Sequence, residues 1–216
     1  MSDKNGFAIC QNGFEALTRD ELADLRNVKP LTHSPGCVMY SGKLNNCVFP
    51  HFFANNSEIL EDTGVKTLAG RIFDYFINNT LNIKFESSWH AVFLDSRAEP
   101  GLSRRMKSIK DAFFEILKKR MSRVSKLMVD DFPKKPGDHI GLLVYVTDFN
   151  KLNIAVNFHY NGQCRMADDP LAPSRSYLKV EEGYRVLEHS PLQNDLVVDL
   201  GAAPGGWSFS AAKRGA

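Results

Sequence analysis

Apolar and polar positions along the chain change period several times, and each change marks an element. Residues 6–10 form a short apolar run of strand length, and Leu17, Leu22 and Leu25 give residues 14–25 the single apolar face of a helix. Residues 30–36 read as a loop closed by the turn pair Pro35-Gly36. Val38-Met39-Tyr40 and Cys47-Val48-Phe49 pair into a candidate hairpin around the polar residues 42–46. Over residues 67–77, Leu68, Ile72 and Phe76, with Phe73 and Ile77 beside them, recur at helical spacing, and these aromatics are assigned to a core. Residues 88–94 are β-prone. Trp89 within them could stack on a base, but it is assigned to the core.

A longer helix is expected over residues 103–125, with Met106, Ile109, Phe113, Ile116 or Leu117, Met121 and Val124 along one stripe. Pro133 and Pro136-Gly137 end that unit. Residues 140–147 and 152–159 are two β-rich runs around a turn at 148–151. The order strand, helix, strand, strand from Trp89 to His159 fits a small α/β domain with a mixed or antiparallel sheet. Pro170 and Pro173 then interrupt the chain, which places a domain junction between Asp168 and Asp169. A helix over 175–186 and a polar loop over 188–194 follow. Residues 196–200 are nearly continuous apolar, as in a strand buried on both faces of a parallel sheet. The overall expectation is an α/β protein with an α+β region over residues 1–168 and the start of a second α/β unit over residues 169–216.

Composition narrows the class. The 216 residues are 43% hydrophobic, enough for packed cores, and no run of eighteen apolar residues exists. The start, Met1-Ser-Asp-Lys-Asn, has no apolar signal region, so a soluble cytoplasmic protein is expected. Cys10, Cys37, Cys47 and Cys164 form no C-x-x-C pair, and the six histidines (33, 51, 90, 139, 159, 189) show no ligand spacing. No metal is therefore assigned, and the thiols are expected reduced and mostly buried. The net charge of +2 conceals an asymmetry: residues 104–135 carry eleven Lys/Arg against four Asp/Glu, leaving sixteen basic and twenty-one acidic residues elsewhere. Arg104, Arg105, Lys107, Lys118, Arg123 and Lys126 could meet a phosphate backbone, or simply solvate an amphipathic helix.

The chemistry concentrates near the C-terminus. Leu196-Val-Val-Asp199-Leu-Gly201-Ala-Ala203-Pro204-Gly205-Gly206-Trp207-Ser208 reads as strand, glycine-rich turn and helix start, a layout that brings backbone N–H groups close to a polar ligand. Asp199 either orients that ligand or holds the turn. The spacing fits neither the dinucleotide fingerprint nor a phosphate-binding P-loop.

The order D-L-G-x-x-P-G-G-W resembles motif I of the Rossmann-fold, FtsJ-like RNA 2′-O-ribose methyltransferases, which lines their S-adenosylmethionine pocket. Upstream, Pro173-Ser174-Arg175-Ser176-Tyr177-Leu178-Lys179-Val180-Glu181-Glu182 is similar to the S-R-(A/S)-x-x-K-L-x-E segment of the same family. Residues 89–159 resemble a THUMP RNA-binding domain. Together with Gly13-Phe14-Glu15, these features resemble bacterial 23S rRNA cytidine 2′-O-ribose methyltransferases of the RlmM type, strongly after Asp169 and weakly before it. The resemblance implies that Lys179 is catalytic, the first lysine of the family's Lys-Asp-Lys-Glu set, although taken alone it reads as a solvated helix lysine. It implies cofactor contacts from Ser176, Asp199, Gly201, Ala203, Pro204, Gly205, Gly206 and Trp207. It gives Glu182 a helix-structuring role, and as partner it implies 23S rRNA before full ribosome assembly. A doubly wound methyltransferase domain needs on the order of 150 residues, so this chain is expected to be an N-terminal portion of a longer enzyme or a truncated gene product. Two other readings stay open: an RNA-binding module with a remnant tail, and a methyltransferase of this fold acting on tRNA or an mRNA cap.

Overall fold

The computed structural model describes residues 5–162, 168–187 and 189–216, and Cys164 lies outside the described residues. The chain divides into two compact units, Met1–Asn161 and Gly162–Ala216. The fold class is mixed α/β, and its sheet is mixed as well.

The first unit runs β1 (Asn5–Ile9), α1 (Glu15–Ala23), β2 (Val28–Ser34), β3 (Cys37–Gly42), β4 (Phe52–Ala54), β5 (Glu58–Glu61), α2 (Val65–Thr80) and β6 (Trp89–Asp95). It continues with α3 (Leu102–Arg120), α4 (Ser122–Lys126), β7 (Met128–Val129), β8 (Gly137–Asp148) and β9 (Lys151–Tyr160). One sheet takes the order β2-β3-β1-β4-β9-β8-β6-β7, with β5 also paired to β9. All ladders are antiparallel except β6 with β7 and β6 with β8, the parallel pair that α3 connects. Residues 142–146 of β8 are buried on both faces, which is why they read as an unbroken apolar run.

Two apolar clusters hold this unit together. Leu68, Ile72 and Phe76 of α2 meet Ile109, Phe113 and Leu117 of α3 above Trp89, Leu142, Val144 and Ile154 of the sheet. Trp89 is 1% exposed, stacks on Phe76 at 4.9 Å and donates its indole N–H to the Val124 carbonyl at 2.9 Å. It is a core residue. Around α1, Leu22 packs with Ala8, Val38, Tyr40, Leu44, Cys47 and Phe53.

Several elements depart from the sequence pattern. Leu17 is 48% exposed, so α1 buries Leu22 alone of the three leucines assigned to its face (Leu25 packs partly, beyond the helix end). Residues 47–49 form no strand. The hairpin is instead β2 with β3, Ser34 facing Cys37 across a two-residue turn, and residues 30–34 of the expected loop are strand. Pro35 presets that turn, and Gly36 takes φ +70°, where an added Cβ would lie 2.3 Å from the Tyr145 hydroxyl. The expected helix over 103–125 is two helices, because Met121 leaves the helical region at φ −136°. The break turns α4 so that the Val124 carbonyl receives the Trp89 indole.

The second unit contains α5 (Tyr177–Leu187) and α6 (Gly206–Ala212). Residues 196–200 are not a buried strand: Leu196 is 93% and Leu200 91% exposed. A strand needs a neighbour to take its N–H and C=O groups, and among the described residues of this unit there is none.

Candidate functional site

The two stretches singled out near the C-terminus come together in the second unit, and glycine is the reason they can. A Cβ on Gly206 would lie 2.4 Å from the Ser176 Oγ, 2.7 Å from the Ser174 Oγ and 3.0 Å from the Tyr177 amide, so only glycine admits this contact. Ser174 and Ser176 share a hydroxyl hydrogen bond of 2.6 Å. The Trp207 indole N–H donates to the Ser176 carbonyl at 3.0 Å while its ring stays half-exposed. Gly205 starts α6 at φ +94°, and Gly201 lies at φ +79° with no heavy atom near the position a Cβ would take. Ala203 and Pro204 are exposed. A turn open on this side leaves room for a polar ligand against the backbone at residues 201–205, and these residues fit such a group.

Asp199 has a definite task. Its Oδ2 accepts from the Ser208 amide at 3.1 Å and the Ser208 hydroxyl at 2.8 Å, capping the first turn of α6. Of the two roles considered for it, holding the turn is the one this geometry displays. Lys179 projects to solvent from α5, and among the described residues its ammonium has no hydrogen-bond or ion-pair partner.

The carboxylate that ties α5 to α6 is Glu181, which the sequence pattern did not single out. Arg214 donates to it twice, at 2.6 and 2.7 Å, and stacks over the Tyr184 ring at 4.9 Å. The Arg214 guanidinium holds the Glu181 carboxyl below its ordinary range. Lys213 meets Asp169 at 2.6 Å and lowers that carboxyl in the same way. The signal available in sequence was the i, i+3, i+4 set Ser210, Lys213 and Arg214 past the glycine turn, but the partner of Arg214 lies 33 residues away.

In the first unit, Arg104, Lys107, Lys118, Arg123 and Lys126 are exposed on α3 and α4. Arg105 differs from them: its guanidinium donates to the Phe149 carbonyl at 2.6 Å and the Thr63 carbonyl at 2.7 Å. It ties α3 to two loops, and its donors are committed there. Lys110 is likewise engaged, with Asp130 at 2.9 Å. Gly13-Phe14-Glu15 has a local cause. Burial alone would raise the Glu15 carboxyl, but N–H donation from Gly36 at 2.6 Å and Gly13 at 2.9 Å lowers it. Glu15 thereby pins the β2–β3 turn. Three histidines that appear scattered in sequence, His90, His139 and His159, converge on one end of the sheet, with His90 and His139 rings 5.8 Å apart and His159 on Asp138 at 2.8 Å. Among the described residues no cluster of His, Cys, Asp or Glu is arranged to hold a metal, and no helix is long and apolar enough to cross a membrane.

In sequence the chain is similar to curated proteins named ribosomal RNA large subunit methyltransferase M, the RlmM type. The chain is 31% identical over 109 residues to ribosomal RNA large subunit methyltransferase M of Shewanella oneidensis, covering 46% of this chain and 30% of that protein. It is 32% identical over 143 residues to the protein of the same name from Chromohalobacter salexigens, covering 61% and 37%. The matches thus span about a third of the length of these curated relatives. No protein-family profile matches the chain. Among solved structures, similarity extends to a possible methylase from Clostridium difficile, at TM-score 0.44 and 14% identity over 72% of this chain and 41% of that one. It extends also to TrmN from Thermus thermophilus, at TM-score 0.36 and 14% identity over 81% and 48%.

Proposed function

We propose that this chain serves S-adenosylmethionine-dependent 2′-O-ribose methylation of a cytidine in 23S rRNA, with residues 1–168 engaging RNA and residues 169–216 contributing to the cofactor site. The observation that carries this reading is the seating of Gly206 and Trp207 on Ser174 and Ser176, which joins the two stretches that resemble the methyltransferase motifs. The similarity to proteins named ribosomal RNA large subunit methyltransferase M supports the substrate class.

When bound, S-adenosylmethionine supplies a methyl group on a good leaving group. Ser176, Gly201, Ala203, Pro204, Gly205 and Gly206 would hold it with backbone and hydroxyl groups, Trp207 would pack beside it, and Asp199 would keep the turn in shape. Lys179 would orient the ribose 2′-hydroxyl and stabilise charge around its oxygen, since a hydroxyl is a weak nucleophile at neutral pH. Alignment of this kind can supply roughly 7–11 kcal/mol in favourable cases. The protein would act in the cytoplasm on rRNA not yet fully assembled into ribosomes.

The test is methyl transfer from tritiated S-adenosylmethionine to 23S rRNA by the natural protein, with Lys179→Ala alongside. We expect the substitution to slow transfer by roughly 10²-fold without changing cofactor affinity by calorimetry. Unchanged transfer would remove Lys179 from the mechanism. A second reading, an RNA-binding module that does not itself catalyse, draws support from the exposure of Leu196 and Leu200. Failure of the natural protein to bind S-adenosylmethionine while binding rRNA would select it.

A further inference from the structure

The sheet of the first unit has a gap along one edge of β9. Strand β5 pairs with residues 151–154 and β4 with His159 and Tyr160, so, among the described residues, residues 155–158 have no ladder partner on that side. On the other side the β8–β9 register slips by one, placing Ile140 and Gly141 of β8 opposite Asn157 alone. At this bulge Asn157 takes φ +66°, uncommon for a side-chain-bearing residue, and is exposed. The gap opens into a groove of about 560 Å³, within the range of small-ligand sites.

Its lining has the composition of a nucleotide site. Asn56 and Asn157 offer amides with both donor and acceptor atoms, Lys43 offers one ammonium, and Phe53 supplies an apolar ring under His159. The His159 ring lies flat on Phe53 at 4.6 Å and 17° and its side chain is 20% exposed, so one wall is a stacked heterocycle with an accessible edge. Asp138 accepts from His159 Nδ1 at 2.8 Å and fixes that ring's orientation. Amide pairs read the edges of unpaired bases, flat rings stack on their faces, and an ammonium meets a phosphate.

We propose that this groove binds one nucleotide of single-stranded RNA, Asn56 and Asn157 bonding the base edge, His159 stacking on its face and Lys43 contacting phosphate. The proposal rests on the RNA-binding reading above and adds a second contact surface, formed by other residues than those of α3 and α4.

The test is fluorescence anisotropy of the full 216-residue chain with a labelled oligocytidylate of about ten nucleotides, beside binding to a 23S rRNA transcript. The variant is Asn56→Ala with Asn157→Gly, in which glycine keeps the positive φ and only the amide is lost. We expect oligonucleotide binding to weaken about tenfold with an unchanged melting temperature. Equal binding of the oligonucleotide by parent and variant overturns the groove. Binding of the transcript alone, equally by both, also overturns it but leaves the RNA reading standing. Binding of neither RNA by the parent overturns both. Should the variant melt early, a 4-thiouridine oligonucleotide cross-linked to the parent decides. Adducts at Phe158 or His159 support the groove, and adducts confined to α3 and α4 overturn it.

Discussion

At the scale of single residues, glycines divide by what surrounds them. Gly206→Ala must push Ser174 and Ser176 away from α6, and overpacking of this kind typically costs about 1–3 kcal/mol. Hydrogen exchange of α5 and α6 should speed up, and S-adenosylmethionine binding should fall with it. Gly183 is the opposite case: it lies inside α5 with open space where a Cβ would go. Gly183→Ala should therefore slow exchange in α5, by about 0.5–1 kcal/mol. A variant pair moving the same way would contradict this account of the Gly206 contact. Thiol reactivity gives a second check on packing. Burial pushes Cys37 far above its ordinary value and Cys47 up to about 12, and Cys10 is raised for the same reason. Alkylation at pH 8, mapped by mass spectrometry, should leave all three unmodified in the native chain and label them in denaturant.

At the scale of elements, the α5–α6 pair depends on one charge contact with a definite pH response. The Arg214 guanidinium holds the Glu181 carboxyl below its ordinary value of 4.5, so the contact is fully formed above that pH. Its contribution disappears as acid protonates the folded carboxylate, and α5–α6 amide exchange should accelerate only below pH 4.5. Glu181→Gln should abolish that step and, near neutrality, weaken the pair by about 1–2 kcal/mol. The same elements mark the limit of sequence reading. Helices α2 and α3 were legible from their apolar stripes, β8 and β9 from β-rich runs that pair across a short turn, and β6 from β-prone composition alone, since its partner β8 pairs 51 residues on. Strands β4 and β5 are three and four residues long, too short for a period: β4 is held between β1 and β9, and β5 pairs with β9. The apolar run at 196–200 carried the composition of a strand, but a ladder requires a second chain segment, which composition cannot report. The motif residues were legible by resemblance. That Asp199 caps α6, and that Glu181 rather than Glu182 bonds across to it, depended on contacts between distant positions. The histidines of the sheet end were invisible for the same reason, since three strands bring them together.

At the scale of the whole molecule, function depends on where positive charge remains available. The eleven basic residues between Arg104 and Lys135 are not equivalent, because Arg105 and Lys110 have their donors committed within the fold. Lys107, Lys118, Arg123 and Lys126 are exposed, and a polyanion that neutralises them must release its own counterions. Each such contact on single-stranded RNA contributes about 0.7 to the slope of log affinity against log salt. Alanine at all four should flatten that slope by up to about 3 while leaving the melting temperature nearly unchanged, since exposed charges contribute little to stability. Arg105→Ala should do the reverse. It leaves two loop carbonyls without their donor, lowers the melting temperature, and leaves the slope as it was. Filter binding of a 23S rRNA transcript across a salt series measures both variants. If the Arg105 variant flattens the slope and the four-residue variant does not, the RNA-facing surface lies elsewhere than α3 and α4. A charge count along the sequence cannot make this distinction, because it weighs a tethered arginine and a solvated lysine alike.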